Sequence, residues 1–297
     1  MSNISVVINT WNEEKNLPRA IASIKNLASE IIVVDMESND DTKEIAKKLG
    51  AKVFNHKYIG YVEPARNFAL SKATGDWILI LDADEEIPDR LAKKLQSISQ
   101  DSEADFYRLP RKNIIFGQWI RHARWWPDYN IRFFKKDQVL WSELIHSVPE
   151  THGIGQDLPD EEPLAIVHHN YQSISQYLAR LDRYTTVQAK LKIEDGYKFN
   201  WRDLIAKPSG EFVSRFLAGE GYKDGVHGLA VCLLQSFSEL VLYLKIWELA
   251  KFEVINLNPH EVNNEIAAAE GEIDHWLVAK RMRRPTILTK VLRRLTK

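Results

Sequence analysis

Two carboxylates, Asp82 and Asp84, close the apolar run WILIL and are the sharpest chemical signal in the chain. If the strand continues through them they project from one face about 7 Å apart, and like charges at that range repel by about 2 to 3 kcal/mol at an effective dielectric near 20. A divalent cation reverses that penalty. Hard oxygen ligands suit Mg²⁺ or Mn²⁺, which commonly bind through one or two carboxylates plus substrate phosphates. The plainer alternative is a solvated acid pair in a strand-to-helix turn. Asp35 closes an earlier apolar run in the same way, and Glu13 follows the first one. Acids there can accept hydrogen bonds from a base imide or from ribose hydroxyls, the polar anchoring that a nucleotide pocket requires. No G-x-G-x-x-G follows the first run and no G-x-x-x-x-G-K-[ST] occurs anywhere. The usual backbone cradles for phosphate are missing, so a metal must carry that electrostatic work.

The elements that hold these acids alternate in type. Ile4 to Ile8 is a β-branched apolar run, followed by helical spacing at Leu17, Ile21, Ile24 and Leu27 with Pro18 in the first turn. Ile31 to Val34 is a second strand, and the helix after it ends at Gly50 as a C′ stop. Ala51 to Phe54 is a third strand, Pro64 to Lys72 a helix, Thr74-Gly75-Asp76 a turn, and Trp77 to Leu81 a fourth strand. Continuous apolar strands alternating with helices predict an α/β fold with a parallel, doubly wound sheet. Ligands bind such sheets at the carboxyl ends of the strands, where Thr10 to Glu13, Asp35 to Asp41 and Asp82 to Glu86 all fall.

Beyond about residue 105 the texture turns to aromatic-rich loops and antiparallel strands, and from about 172 it is mostly helical. The expected division is an α/β domain over 1–170, with a nucleotide-binding half at 1–104 and a second half at 105–170, then a helical region over 171–297. Basic and acidic residues number 40 and 41, a formal charge of −1, which offers no global field for nucleic acid. The one cysteine, Cys232, reads as a small buried hydrophobe and suggests a reducing compartment. The opening residues do not read as a secretory signal, so the expected location is the cytoplasm. Val226 to Leu249 approaches membrane-spanning length, but Glu239, Lys245 and Glu248 make it a buried or interfacial helix.

The segments VVINTWNEEKNL, IIVVDMESNDDT and ARNFALSKATGDWILILDADEEI, in that order over about 85 residues, resemble the N-terminal half of family 2 glycosyltransferases. These are inverting enzymes of GT-A fold that use nucleotide sugars. The resemblance implies that Thr10, Asn12, Glu13 and Asp35 bind the nucleotide, that Arg66 flanks the diphosphate, and that Asp82 and Asp84 form the metal and ribose site. HHNYQSISQYLARLDRYTTVQA and GYKDGVHGLAVCLLQSF are similar to the subgroup that adds glucose or a like sugar to the lipopolysaccharide inner core. A nucleoside-diphosphate sugar, UDP-linked by preference, and a saccharide or lipid-linked saccharide are then the implied donor and acceptor.

That subgroup often carries a His-Glu pair before a variable loop, whereas this chain reads SELIHSVPE with Ser147 after His146. Inversion needs a base to take the acceptor proton on the face opposite the leaving diphosphate, and the choice stays open between Glu143, Glu150 and His146. Adjacent His168 and His169 point to opposite faces of a strand and do not readily share one ion, which favours buried, hydrogen-bonded roles. Trp125, Trp126 and Tyr129 fit a sugar platform or core packing equally well. Arg121, Arg124 and Arg132 fit an acceptor phosphate or solvent.

Two other classes compete. A haloacid-dehalogenase-type phosphatase also places a DxD after an apolar strand, but it expects a small pair next where this chain has Glu85-Glu86, and it uses the first strand. A nonenzymatic membrane-surface adaptor would use the basic C-terminus, where Ile287, Leu288, Val291, Leu292 and Leu295 alternate with Lys290, Arg293 and Arg294 as in an interfacial helix on an anionic membrane. It leaves the acids at the strand ends unexplained.

Overall fold

The computed structural model describes residues 3–58, 63–141 and 149–282. The chain forms two compact units: residues 1–114 with 126–170, and residues 115–125 with 171–297.

In the first unit, strands and helices alternate through β1 (Ile4–Thr10), α1 (Leu17–Ile24), β2 (Glu30–Asp35), α2 (Thr42–Lys48), β3 (Lys52–Asn55), α3 (Glu63–Leu70) and β4 (Trp77–Asp82). Then come β5 (Glu85–Glu86), α4 (Asp89–Gln100) and β6 (Phe106–Ile115). In the second unit lies β7 (Gln118–Trp119), after which the first resumes with β8 (Asp128–Lys135), β9 (Val139–Leu140), β10 (Glu150–Thr151), β11 (Gly155–Asp157) and β12 (Ile166–Tyr171).

The main sheet of the first unit runs β3-β2-β1-β4-β8-β6-β12-β5. Its first four strands are parallel, as the alternation of strand and helix requires; β8 is antiparallel to β4 and β6, and β5 to β12. β1, β2 and β4 are buried on both faces because their side chains alternate between two cores. Val6, Ile8, Val33, Leu79 and Leu81 pack with Leu17, Ile21 and Ile24 of α1 and with Leu91 and Leu95 of α4. Val7, Ile32, Val34, Ile78 and Ile80 pack on the other face with Ala65 and Ala69 of α3. The mixed α/β class, with its helix-flanked sheet and helical C-terminal region, is therefore the one expected.

Local punctuation follows the sequence closely. Gly50 has φ +85°, a left-handed stop after α2 that glycine adopts without strain. At Gly75 a Cβ atom would stand 2.6 Å from the Asn3 carbonyl oxygen and 2.8 Å from the Ser5 nitrogen, so the turn into β4 admits no side chain.

In the second unit, α5 (Ile174–Glu194), α6 (Asp203–Phe212), α7 (Gly225–Leu249) and α8 (Pro259–Ala279) follow, α6 continuing into a π-helical turn at Val213–Ala218. Along α7 one side is buried, with Val231, Cys232, Leu242, Tyr243 and Ile246, while Val226, Leu229, Leu233 and Phe237 are exposed. Cys232 is buried as expected, and that burial pushes its thiol up to about 12. Among the described residues, Gly221–Leu249 is the one helical stretch long and apolar enough to cross a membrane by length and composition. The expected interfacial helix around Ile287 to Leu295 lies outside the described residues.

Candidate functional site

The register of the parallel strands assembles the polar edge of the sheet. Thr10 at the end of β1 is level with Asp35 at the end of β2, and Asn9 is level with Asp82 at the end of β4. Asn9, Thr10 and Asp35 are only 7%, 1% and 3% exposed. Yet both polar atoms of the Asn9 side chain, the Thr10 hydroxyl and Oδ1 of Asp35 have no hydrogen-bond partner among the described residues. Buried polar groups left unpaired are costly, so a set of them at the sheet's carboxyl edge, Thr10 and Asp35 on one face and Asn9, level with Asp82, on the other, is suited to a polar guest. Asn9 was missed in the sequence because it sits inside an apolar run; a polar residue interrupting ISVVINT was the available signal.

The loops above this edge are tied to each other. Asn12, at φ +55° in the left-handed region that asparagine tolerates, donates its backbone N–H to Ser38 Oγ at 2.9 Å and accepts the Asn39 N–H on Oδ1 at 2.8 Å. Glu13 donates its N–H to Thr42 Oγ1 at 2.8 Å and accepts from Asn16 Nδ2 on Oε2 at 2.7 Å. Asp35 accepts the Ser38 N–H on Oδ2 at 3.2 Å, and its Oδ1 stays unpaired among the described residues. Thr10 and Asp35 thus present free acceptors, whereas Asn12 and Glu13 shape the loop.

The two acids of the DxD differ in their surroundings. Asp82 receives Arg132 Nη2 on Oδ2 at 2.5 Å, and Arg66 of α3 stands 3.5 Å from Oδ1. Burial works against ionisation of Asp82, but Arg132 and Arg66 outweigh it and hold the carboxyl far below the usual range. The repulsion expected between Asp82 and Asp84 is thus offset by arginines of the protein itself. Arg132 is buried, not solvent-facing, and also binds Oε1 of the fully buried Glu85 at 2.8 Å. Glu85 in turn accepts the Asp82 N–H on Oε2 at 2.9 Å, fixing the turn of the motif. Arg66 also lies over the Trp141 ring, 5.6 Å from its centroid.

Asp84 has a different neighbour. Its Oδ2 lies 3.5 Å from Nε2 of His168, which β12 brings beside β5 through the pairing of His168 with Glu85. His168 is buried and hydrogen-bonded, and His169 points the other way to Glu86 at 2.8 Å, as strand alternation requires. The two histidines face opposite ways, as their adjacency on a strand predicts, and what local spacing did not reveal is the approach of His168 to Asp84. A carboxylate oxygen and an imidazole nitrogen 3.5 Å apart fit one divalent cation, each bond being about 2.1 Å. No group of three or more potential ligands occurs among the described residues, so further ligands would come from a bound phosphate.

Of the three candidate bases, Glu143 and His146 lie outside the described residues. Glu150 begins β10, exposed, opposite Leu140 of β9 in a two-stranded ribbon. Tyr129 donates its hydroxyl to the Leu158 carbonyl at 2.8 Å, and Trp125 packs in a cluster with Ile115, Ile120 and Val231. Those two rings serve structure.

Comparison with known proteins places this arrangement in context. A family model described as Glycosyl transferase family 2 matches residues 5–157. An uncharacterized glycosyltransferase of Rickettsia typhi is 31% identical over 84% of this chain and 88% of its own. The lipopolysaccharide core biosynthesis glycosyltransferase LpsC of Rhizobium meliloti is 21% identical over 82% of this chain and 92% of its own. Among solved structures, a mannosyltransferase from Pyrobaculum calidifontis in complex with GDP-Man and Mn²⁺ aligns with a TM-score of 0.46 and 15% identity, covering 90% of this chain and 80% of that one.

Proposed function

The chain belongs to glycosyl transferase family 2, and on that premise we propose that it is a metal-dependent, inverting hexosyltransferase that moves a sugar from a UDP-sugar to a lipopolysaccharide-core or other cell-envelope saccharide. The observation that carries the donor reading is the set of buried, unpaired polar atoms on Asn9, Thr10 and Asp35 at the carboxyl edge of the sheet. Asp35 Oδ1 accepts the imide N–H of uracil or a ribose hydroxyl, and the Asn9 amide supplies both a donor and an acceptor. Asp82, kept ionised by Arg132 and Arg66, accepts a ribose hydroxyl. The Arg66 guanidinium faces the diphosphate.

Asp84 and His168 would hold the cation, and a mixed oxygen and nitrogen pair favours Mn²⁺ over Mg²⁺. When bound, the metal neutralises charge that builds on the departing diphosphate. A carboxylate from Glu143 or Glu150, or the imidazole of His146, takes the proton of the acceptor hydroxyl. That oxygen then forms a bond to the anomeric carbon as the bond to the phosphate oxygen breaks with its electron pair, and the configuration inverts. The phosphatase and adaptor alternatives fall with family membership.

The acceptor reading draws on the resemblance of residues 168–237 to lipopolysaccharide-core enzymes and on the similarity to LpsC. A cytoplasmic protein resting on the inner face of the membrane suits a lipid-linked acceptor. It is supported by the exposed apolar row Val226, Leu229, Leu233 and Phe237 on α7, and by the eight basic residues between Lys280 and Lys297.

Incubation with a panel of nucleoside-diphosphate hexoses and Mn²⁺, reading released nucleotide, tests the donor assignment. Release from a UDP-hexose above all others supports it, and release from none refutes it. Co-sedimentation with anionic vesicles at low salt tests the membrane reading: the full chain should pellet and a chain lacking 280–297 should not.

A further inference from the structure

Three strands of the first unit converge behind the Asp84 and His168 pair. Asn113 on β6 has no exposure, and Asp128 opens β8, where it is level with Arg111 of β6. Asp128 Oδ2 accepts from Arg111 Nη2 at 2.7 Å and Nε at 3.0 Å, and from Asn113 at 3.0 Å. Burial opposes its ionisation, but Arg111 and Asn113 outweigh burial and keep its carboxyl below the usual range. An ionised carboxylate only accepts hydrogen bonds, so the Asn113 atom turned to Asp128 is the amide nitrogen. The amide oxygen must then face the other way, and it lies 2.6 Å from Nδ1 of His168.

An amide oxygen is an acceptor alone, so the proton of that short hydrogen bond resides on His168 Nδ1. In the neutral ring this leaves a lone pair on Nε2, the atom that stands 3.5 Å from Asp84 Oδ2. A lone pair and a carboxylate facing each other at that distance are held together by a cation or a proton between them. Partners one step behind a ligating histidine fix its tautomer and orientation in this way.

We propose that Asn113 and Asp128 are positioning residues that lock His168 as the Nδ1–H tautomer, so that Nε2 and the Asp84 carboxylate together form a half-site for a divalent cation. The proposal rests on the metal-dependent reading above for its purpose, but its tautomer is observable without metal or donor.

The test is ¹⁵N nuclear magnetic resonance of histidine-labelled, metal-free protein, with the His168 signals assigned by their loss in His168→Gln. The wild-type chain should show a protonated Nδ1 and a bare Nε2 at His168. Asp128→Asn removes the obligate acceptor, since its new amide can also donate, and so frees the Asn113 amide to turn over. That variant should populate the Nε2–H tautomer and lose about 10- to 100-fold in Mn²⁺ affinity measured by calorimetry in the presence of UDP. His169→Gln, one residue away on the opposite face, should change neither readout. A wild-type His168 protonated on Nε2, or an Asp128→Asn variant with unaltered tautomer and Mn²⁺ affinity, overturns the relay. A wild-type chain that shows the stated tautomer but binds no Mn²⁺ overturns the metal reading instead, and with it the half-site.

Discussion

Arg132 donates through Nη2 to Oε1 of Glu85 at 2.8 Å, joining a nearly buried guanidinium to a carboxylate with no exposure at all. The same nitrogen reaches Asp82, so one arginine sets the backbone turn and the charge state of the DxD together. Neither Asp82 nor Glu85 is then a naked charge, and on the proposed reading Asp84, beside His168, is the acid of the pair that would meet the cation.

Arg132→Met should therefore destabilise the fold by about 3 to 5 kcal/mol, because Glu85 is left as a buried charge whose remaining ion-pair partner among the described residues is Arg111 at 3.4 Å. Urea denaturation followed by circular dichroism reads this directly. A loss under about 1 kcal/mol would mean that the ion pair is not a structural anchor.

Asp84→Asn keeps the side-chain volume but removes an ionic ligand beside His168. Turnover should fall by about 10²-fold or more, the scale of losing metal stabilisation of the leaving group, with an unchanged melting temperature. Wild-type turnover with unaltered metal dependence would contradict the assignment of Asp84.

Asp35→Ala removes the acceptor beside Thr10 and should weaken UDP binding by about 1 to 3 kcal/mol, with no acceptor sugar present. Asn9→Leu should act in the same direction. Unchanged dissociation constants in both would empty the pocket drawn at the sheet's edge.

For the base, Glu143→Gln or Glu150→Gln should lower kcat by about 10²-fold or more while donor binding survives, and only one of them should do so. If both variants turn over normally, His146 or a residue outside SELIHSVPE removes the proton.

Glu30 gives the clearest pH signature of the fold. Its side chain is 8% exposed and accepts from Lys52 Nζ at 2.7 Å, Ser5 Oγ at 2.5 Å, and the Thr74 N–H and hydroxyl at 2.6 and 2.8 Å. Burial opposes ionisation, but these donors outweigh it and bring the carboxyl down to about 2. A depressed carboxyl stabilises the fold above its unfolded value of about 4.3, and that contribution is lost as pH falls through about 2. Glu30→Gln should cost about 2 kcal/mol at pH 7, with the gap to wild type closing on acidification through this window. A gap independent of pH would remove Glu30 as the titrating group.

Much of the fold was legible because continuous apolar runs such as Ile4 to Ile8 and Trp77 to Leu81 leave little choice but buried strands, and Gly50 and Gly75 mark where the chain must turn. The strand-end acids were legible for the same reason: Asp35 and Asp82 stop apolar runs. The partners of those acids were not. Arg132 and His168 reach the DxD from β8 and β12, some 50 and 80 residues downstream, and pairing across an antiparallel extension leaves no trace in local spacing. Asn9 and Asn113 were hidden by their own burial, since a single amide within a strand reads as a packing detail until its neighbours are known.

The central claim is a metal-assisted UDP-sugar site at the carboxyl edge of β1, β2 and β4. Calorimetric titration of UDP into the metal-free chain, with and without Mn²⁺, tests it most directly. The account predicts saturable binding that strengthens at least about tenfold with Mn²⁺ in the wild type and loses that increment in Asp84→Asn. Equal UDP affinity with and without Mn²⁺, or no binding in either condition, would contradict it.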